Sequence, residues 1–165
     1  MLDEKQITAD LINWITDFVE KPNPLLNNWA PCPYARQARI ADKIAIVFVE
    51  STSIILTIEK NLTLLDSKDV IIFCFDHTKI NVDETQELVR VHNQLLMDKD
   101  YVILEDHPDA TEILNGVRMN FGKCGLLLVQ RLSKLTTASE QLREKGYYDI
   151  WPKENYNDVV AWRQR

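Results

Sequence analysis

The chain has 165 residues, of which 45% are hydrophobic and 27% are charged, and its formal net charge at pH 7 is −6. This composition is typical of a soluble globular protein with one core, and it excludes a largely disordered chain. The negative charge argues against a nucleic-acid-binding surface, which requires clustered lysine and arginine, and no apolar run approaches the roughly 18 residues that span a membrane.

The N-terminal residues and the cysteines predict a cytoplasmic protein. The first ten residues are acidic and polar, unlike a secretory signal or a transit peptide. The three cysteines, Cys32, Cys74 and Cys124, are odd in number and widely spaced, which argues against a disulfide framework and favours a reducing compartment. We therefore expect one α/β domain over residues 1–165.

The first predicted elements are a helix and an irregular segment. Residues 7–20 carry large apolar side chains at helical spacing. Residues 21–39 then hold four prolines and three asparagines, and proline disfavours both helix and strand interiors. We expect an irregular loop over 21–39, and irregular chain of this length in a compact domain is more often functional than idle.

From residue 43 onward, apolar runs alternate with helical patterns. The alternation predicts a mostly parallel sheet with helices on both faces, because strands that are buried on both sides are apolar throughout. The alternative is a ferredoxin-like α+β arrangement with some antiparallel pairing. The predicted strands are KIAIVFVE (43–50), DVIIFCFDH (69–77), YVILEDH (101–107) and GLLLVQR (125–131).

Two of the helices between these strands have identifiable starts. Asn81 and Glu84 fit a capping box, in which each side chain bonds the backbone N–H of the other residue. A short helix is predicted from Pro108 to about Leu114, ending at Gly116. The aromatic tail, residues 146–162, is predicted to cover the core, with a homo-oligomer contact as the alternative.

Charged and titratable side chains close three of the predicted strands. The carboxyl ends of parallel strands lie along one edge of a sheet, and ligands of open α/β sheets bind there. Two imidazoles with carboxylates could hold a divalent metal such as Fe, Mn or Zn and leave positions open for substrate. The predicted metal ligands are Asp76, His77, Glu105, Asp106 and His107. Glu50, at the end of the first strand, is predicted to lie at the same edge.

Two other interpretations of these side chains remain open. Without a metal, a histidine beside a carboxylate has a fixed tautomer and suits general acid–base catalysis. Aspartate and histidine are also ordinary loop residues, and His107 with Pro108 fits the cap and first position of the short helix.

The Pro-rich loop contains a candidate nucleophile. Cys32 lies between two prolines and is followed by Arg36 and Arg39. Nearby cations lower the pKa of a thiol and favour the reactive thiolate, and two arginines three residues apart could clamp a carboxylate or a phosphate. The alternative is a buried free cysteine, with the arginines paired to surface acids.

The loop before the last strand is polar and contains glycine. Its sequence, NGVRMNFGKCG, matches neither a dinucleotide-binding nor a P-loop pattern, so it carries no nucleotide signature. Asn115, Arg118 and Asn120 are its candidate substrate-binding residues.

Several motifs together resemble an uncharacterised bacterial family. That family has C-P-F-A after an N-terminal helix, a later H-P-D, and an asparagine about eleven positions before an arginine that closes the last strand. The resemblance implies no activity, but it implies that Cys32, His107 and Asp109 form a spatially related set. The matching residues here are Cys32-Pro33-Tyr34-Ala35, His107-Pro108-Asp109, Asn120 and Arg131.

The chain also departs from that family pattern in two places. Ala30-Pro31 stands where the pattern has N-L, and Leu128 stands where it has a histidine in the last strand. A shared role that needs the strand histidine is therefore not expected here.

We favour a small soluble enzyme that acts on a small polar substrate at the carboxyl-end edge of the sheet. In the metal-dependent version the histidines and carboxylates bind the ion. In the metal-free version Cys32 is the nucleophile, His107 is the base, and Asp106 or Asp109 orients the imidazole, with Arg36 reaching the substrate. The alternative from another class is a non-catalytic binding module whose partner surface is the acidic edge and the aromatic tail.

Overall fold

The computed structural model describes residues 1–164. The helices are α1 (Glu4–Trp14), α2 (Ala35–Ile40), α3 (Ile54–Asn61), α4 (Val82–Leu96), α5 (Leu132–Glu144) and α6 (Lys153–Val159). The strands are β1 (Ile44–Phe48), β2 (Val70–Phe75), β3 (Tyr101–Asp106), β4 (Ile113–Leu114), β5 (Val117–Arg118) and β6 (Gly125–Arg131). Short helical turns follow α1 (Ile15–Val19), α3 (Leu62–Asp66), α4 (Met97–Lys99) and α6 (Ala161–Arg163).

Four strands form one mixed sheet in the order β1-β2-β6-β3. β1 and β2 are parallel, whereas β6 is antiparallel to both β2 and β3. The predicted mostly parallel sheet is therefore wrong, and an α+β class is consistent with the mixed pairing. Because β6 opposes both of its neighbours, β1, β2 and β3 still point the same way. Their carboxyl ends lie along one edge, as the sequence suggested, although for a different topology.

The connection between β3 and β6 explains the direction of β6. A parallel return would need a crossover that carries the chain back across the sheet, usually as a helix. Instead, residues 107–124 stay near the edge where β3 ends and contain the small hairpin of β4 and β5. The predicted short helix at Pro108 is absent from this described segment. Asn115 and Gly116 both have positive φ, 50° and 81°, as a tight hairpin turn requires.

Helices cover both faces of the sheet. On one face, α3 and α4 pack on the side chains of alternate strand residues, including Ile71, Phe73 and Ile103. On the other face, α1 packs on Ile72 and Cys74. Helices on both sides explain the continuously apolar strands, although part of the face that α1 packs on, including Leu104 and Leu128, stays partly exposed.

The start of α4 has the predicted capping box. Asn81 Oδ1 accepts from the N–H of Glu84, and the Glu84 carboxylate accepts from the N–H of Asn81, both at 2.9 Å. These bonds satisfy donors that a helix start leaves free, so the sequence pattern fixes where α4 begins.

The Pro-rich segment and the aromatic tail pack on each other. The hydroxyl of Tyr147 donates to the carbonyl oxygen of Pro31 at 2.6 Å, and its ring meets Trp29 edge to face. Within the segment, Asn27 and Asn28 adopt left-handed conformations beside a short helical turn. Among residues 1–164, no helix is long and apolar enough to cross a membrane.

Candidate functional site

The two histidines predicted for the sheet edge lie side by side. His77 follows β2 and His107 follows β3, and their ring centroids are 5.8 Å apart. The common direction of β2 and β3 brings these loops to the same edge, although β6 lies between the strands.

His107 is buried, with 2% of its surface exposed, and both of its ring nitrogens have partners. Nδ1 accepts from the backbone N–H of Asp109 at 3.1 Å, so the ring proton is on Nε2, which donates to the carbonyl oxygen of Ile80 at 2.9 Å. The imidazole thus joins the loops after β2 and β3. Neither nitrogen has a free lone pair or proton for a substrate in this arrangement.

Asp106 and Asn120 form the centre of the β3–β6 connection. The Asp106 carboxylate accepts from Asn120 Nδ2 at 2.8 Å and from the N–H of Phe121 at 2.9 Å. Asn120 also donates to the carbonyl oxygen of Ala110 and accepts from the N–H of Glu112. Burial raises the pKa of Asp106, and the bonds from Phe121 and Asn120 oppose that rise.

The predicted metal ligands do not form a metal centre. Both oxygens of Asp106 and both nitrogens of His107 are occupied by the chain's own groups. Asp76 accepts from the hydroxyl and the N–H of Thr78, and these bonds lower the pKa of Asp76. Glu50 is exposed. Across residues 1–164, no group of three or more His, Cys, Asp or Glu side chains could hold an ion.

The arginines do not lower the pKa of the Cys32 thiol, contrary to the prediction from sequence. Arg39 forms a bidentate pair with Glu20, at 2.7 and 2.8 Å, rather than a free clamp with Arg36. Although Cys32 is exposed as a residue, desolvation of its thiol raises its pKa, and only backbone N–H groups oppose this. Neither arginine is among the groups that favour the thiolate.

The cysteine and the histidine have different neighbours. Cys32 lies in the loop that packs on the aromatic tail. Its backbone N–H donates to the carbonyl oxygen of Val19 at 2.9 Å. His107 contacts Phe75, His77 and Ile80 at the sheet edge. Asp109 is exposed and reaches His107 through its backbone.

The remaining predicted substrate-binding residues bond to the chain itself. Asn115 Nδ2 donates to the carbonyl oxygen of Ile150 at 3.0 Å, and Arg118 Nη2 donates to that of Pro108 at 3.1 Å. These bonds hold the β4–β5 hairpin against the tail and against Pro108, near the start of the β3–β6 connection.

A cleft of about 980 Å³ opens beside β3. Its floor is the part of the sheet face that α1 leaves uncovered, and α4, α6 and the β3–β6 connection form its walls. It combines an apolar floor with many polar and charged side chains around it, and ligand sites in proteins pair apolar surface with polar groups. The side chains that define it are Ile72, Leu104, Leu126 and Leu128 in the floor, Trp14 and Trp162 at the sides, and Glu105, Asp106, Glu112 and Asp158 at the rim.

Glu112 contributes a partly buried carboxyl group to this rim. It is half-buried, and no donor or cation within residues 1–164 pairs with its carboxylate. Burial raises its pKa first, and repulsion from Asp106, Glu105 and Asp158 raises it further. Burial also raises the pKa of Glu105. Perturbed carboxyl groups in a cleft are a physical indication of a functional site.

The sequence contained little sign of Glu112. The sequence predicts Glu112 in a short helix that the chain does not form, and the acids that surround the residue come from β3 and α6. The available signal was the Asn115–Gly116 pair, which predicts a hairpin and would have placed Glu112 beside its first strand.

No protein-family model, curated protein or solved structure matches this chain.

Proposed function

We propose that this protein is a small enzyme that acts on a small molecule bound in the cleft beside β3. Glu112 is the proposed general acid or base. The single observation that carries the proposal is the Glu112 carboxyl, which faces three other acids in a cleft without a donor or a cation of its own.

The environment of Glu112 suits proton transfer. A carboxyl group whose pKa is raised keeps its proton nearer to neutral pH than a solvated one, so it can act as an acid and then as a base. Asp106 is held in one orientation by Asn120 and Phe121, and its charge opposes ionisation of Glu112. Two carboxyl groups with different environments are the arrangement from which acid–base pairs are built.

The proposal retains the edge of the sheet as the site but changes the residues. Glu105 and Asp106, at the end of β3, line the cleft, whereas Cys32 and Arg36 do not. The proposal therefore assigns no catalytic role to the thiol. Since no group of three or more His, Cys, Asp or Glu side chains within residues 1–164 could hold an ion, it includes no metal step.

The first experiment is a search for small molecules that raise the melting temperature of the wild-type protein but not of Glu112→Gln. Glu144→Gln is the matched control, because Glu144 is exposed on α5 and lies outside the cleft. Compounds that pass are incubated with each protein and examined for new masses by mass spectrometry.

Conversion by the wild type and by Glu144→Gln, but not by Glu112→Gln, would support the proposal. Compounds that bind in the cleft and are never converted would support the non-catalytic binding module instead. Conversion that Glu112→Gln leaves unchanged would exclude Glu112 as the acid or base.

A further inference from the structure

We infer that the ligand of this cleft is an organic cation, an ammonium or guanidinium group attached to an apolar body. The inference rests on the proposed function for the location of the site, and it adds the chemical class of the ligand.

The charged residues of the cleft favour a cation. Four acids line it, Glu105, Asp106, Glu112 and Asp158, and the one cationic side chain in the described lining is Arg90. The guanidinium of Arg90 is already in a bidentate pair with Glu87, at 2.7 and 2.8 Å. A ligand cation would supply the charge and the donors that Glu112 lacks.

The apolar surfaces indicate that the cation carries a hydrophobic body. The floor consists of aliphatic side chains from three strands, among them Leu104 and Leu128, which remain partly exposed. Trp14 lies at one side, and Trp162, 42% exposed, lies at another. An indole face attracts an organic cation, whereas a small hydrated ion would leave this floor in contact with water.

Two other occupants fit less well. An anion would meet the four acids of the rim at close range. An extended peptide that added a strand to β3 would need the outward backbone groups of Ile103, and Asn93 already bonds both of them, at 2.8 and 2.9 Å. The volume of about 980 Å³ also suits a small molecule.

The test compares three ligands with one aromatic body and different heads: phenethylammonium, phenethyl alcohol and hydrocinnamate. Binding to the full chain is measured by isothermal titration calorimetry near neutral pH. We expect phenethylammonium to bind at least about tenfold more tightly than the alcohol, the difference typical of a charge-assisted hydrogen bond, and hydrocinnamate to bind most weakly.

Variants connect this preference to the rim. Glu112→Gln and Asp158→Asn should each remove most of the preference for the ammonium group and leave alcohol binding unchanged, whereas Glu144→Gln should change neither. Retained alcohol binding also shows that a variant is folded.

Three results would overturn the inference: no binding of the ammonium ligand up to about 1 mM, equal or tighter binding of the alcohol or the carboxylate, or a preference that both rim variants retain. If the alcohol or the carboxylate binds at least as tightly as the ammonium ligand and Glu112→Gln abolishes its conversion, the ligand class is wrong and the enzyme proposal stands. If the ammonium ligand binds as expected and no organic cation is ever converted, the ligand class stands and the enzyme proposal fails.

Discussion

The side-chain amide of Asn93 takes the place of a neighbouring strand at the free edge of β3. Its Nδ2 donates to the carbonyl oxygen of Ile103 at 2.9 Å, and its Oδ1 accepts from the N–H of the same residue at 2.8 Å. Asn93 lies on α4 and is buried, so a helix satisfies backbone groups that an edge strand would otherwise present to other chains.

Replacement of Asn93 should therefore destabilise the protein and open this edge. In Asn93→Ala the two backbone groups of Ile103 lose their partners, and we expect a loss of about 1–3 kcal/mol in the free energy of unfolding. Self-association at high concentration should follow, measured by analytical ultracentrifugation. Gln94→Ala, an exposed neighbour on α4, is the control. A fully monomeric Asn93→Ala protein would show that the amide does not protect the edge.

The raised pKa of the Glu112 carboxyl group predicts how the stability of the protein depends on pH. Because its pKa in the folded state lies above the ordinary value of 4.5, the folded protein binds more protons than the unfolded chain, and stability falls as pH rises through the raised pKa. Glu112→Gln removes this loss. The variant should melt at a higher temperature than the wild type near neutral pH, and the difference should disappear below about pH 4.5. A wild type that is more stable than the variant at neutral pH would contradict this sign.

Replacement of Asn120 should cause a local loss of structure beside the cleft. Asn120→Ala removes one of the two donors to the Asp106 carboxylate and leaves the N–H of Glu112 without its acceptor, which should cost about 1–3 kcal/mol of unfolding free energy. Hydrogen exchange should accelerate in residues 107–112 more than in α3. Uniform acceleration across the chain would instead indicate that Asn120 acts on global stability alone.

Gly125 has no room for a side chain. It is paired with Phe75 across β2 and β6, and a Cβ atom built on it would overlap the Phe75 ring. Gly125→Ala should destabilise the protein by about 1–3 kcal/mol in urea unfolding, as overpacked core positions do. The cost should shrink in a Phe75→Leu background, where the ring is gone. Additive effects of the two substitutions would show that the ring is not the obstacle.

The sequence predicted the elements better than it predicted their arrangement. The four long strands and the capping box of Asn81 and Glu84 follow from local patterns, because burial and helix starts leave marks on neighbouring residues. The direction of β6 depends on whether residues 107–124 cross the sheet. The predicted helix at Pro108 led to the wrong direction for β6. The Asn115–Gly116 pair instead indicates a hairpin turn, which keeps these residues at one edge of the sheet.

The candidate site was harder still, because its groups come from distant parts of the chain. Glu105 and Asp106 were visible as acids that end a strand. Glu112 and Asp158 are 46 positions apart in sequence and approach each other only when the hairpin and the tail have folded. Conversely, His107 and Asp76 carry the residue types of an active site, yet their polar atoms bond to the chain itself.

The position of β6 in the centre of the sheet has a consequence for biosynthesis. β2 and β3 both pair with residues 125–131, so the middle of the sheet stays open until those residues leave the ribosome. Until then β1 is the one sheet neighbour available to β2, and the strand with which β3 pairs has not been made. Long-range pairings of this kind form slowly and leave apolar edges exposed. A chaperone that binds extended apolar segments should therefore contact β2 and β3 on the nascent chain and release them once Arg131 has emerged.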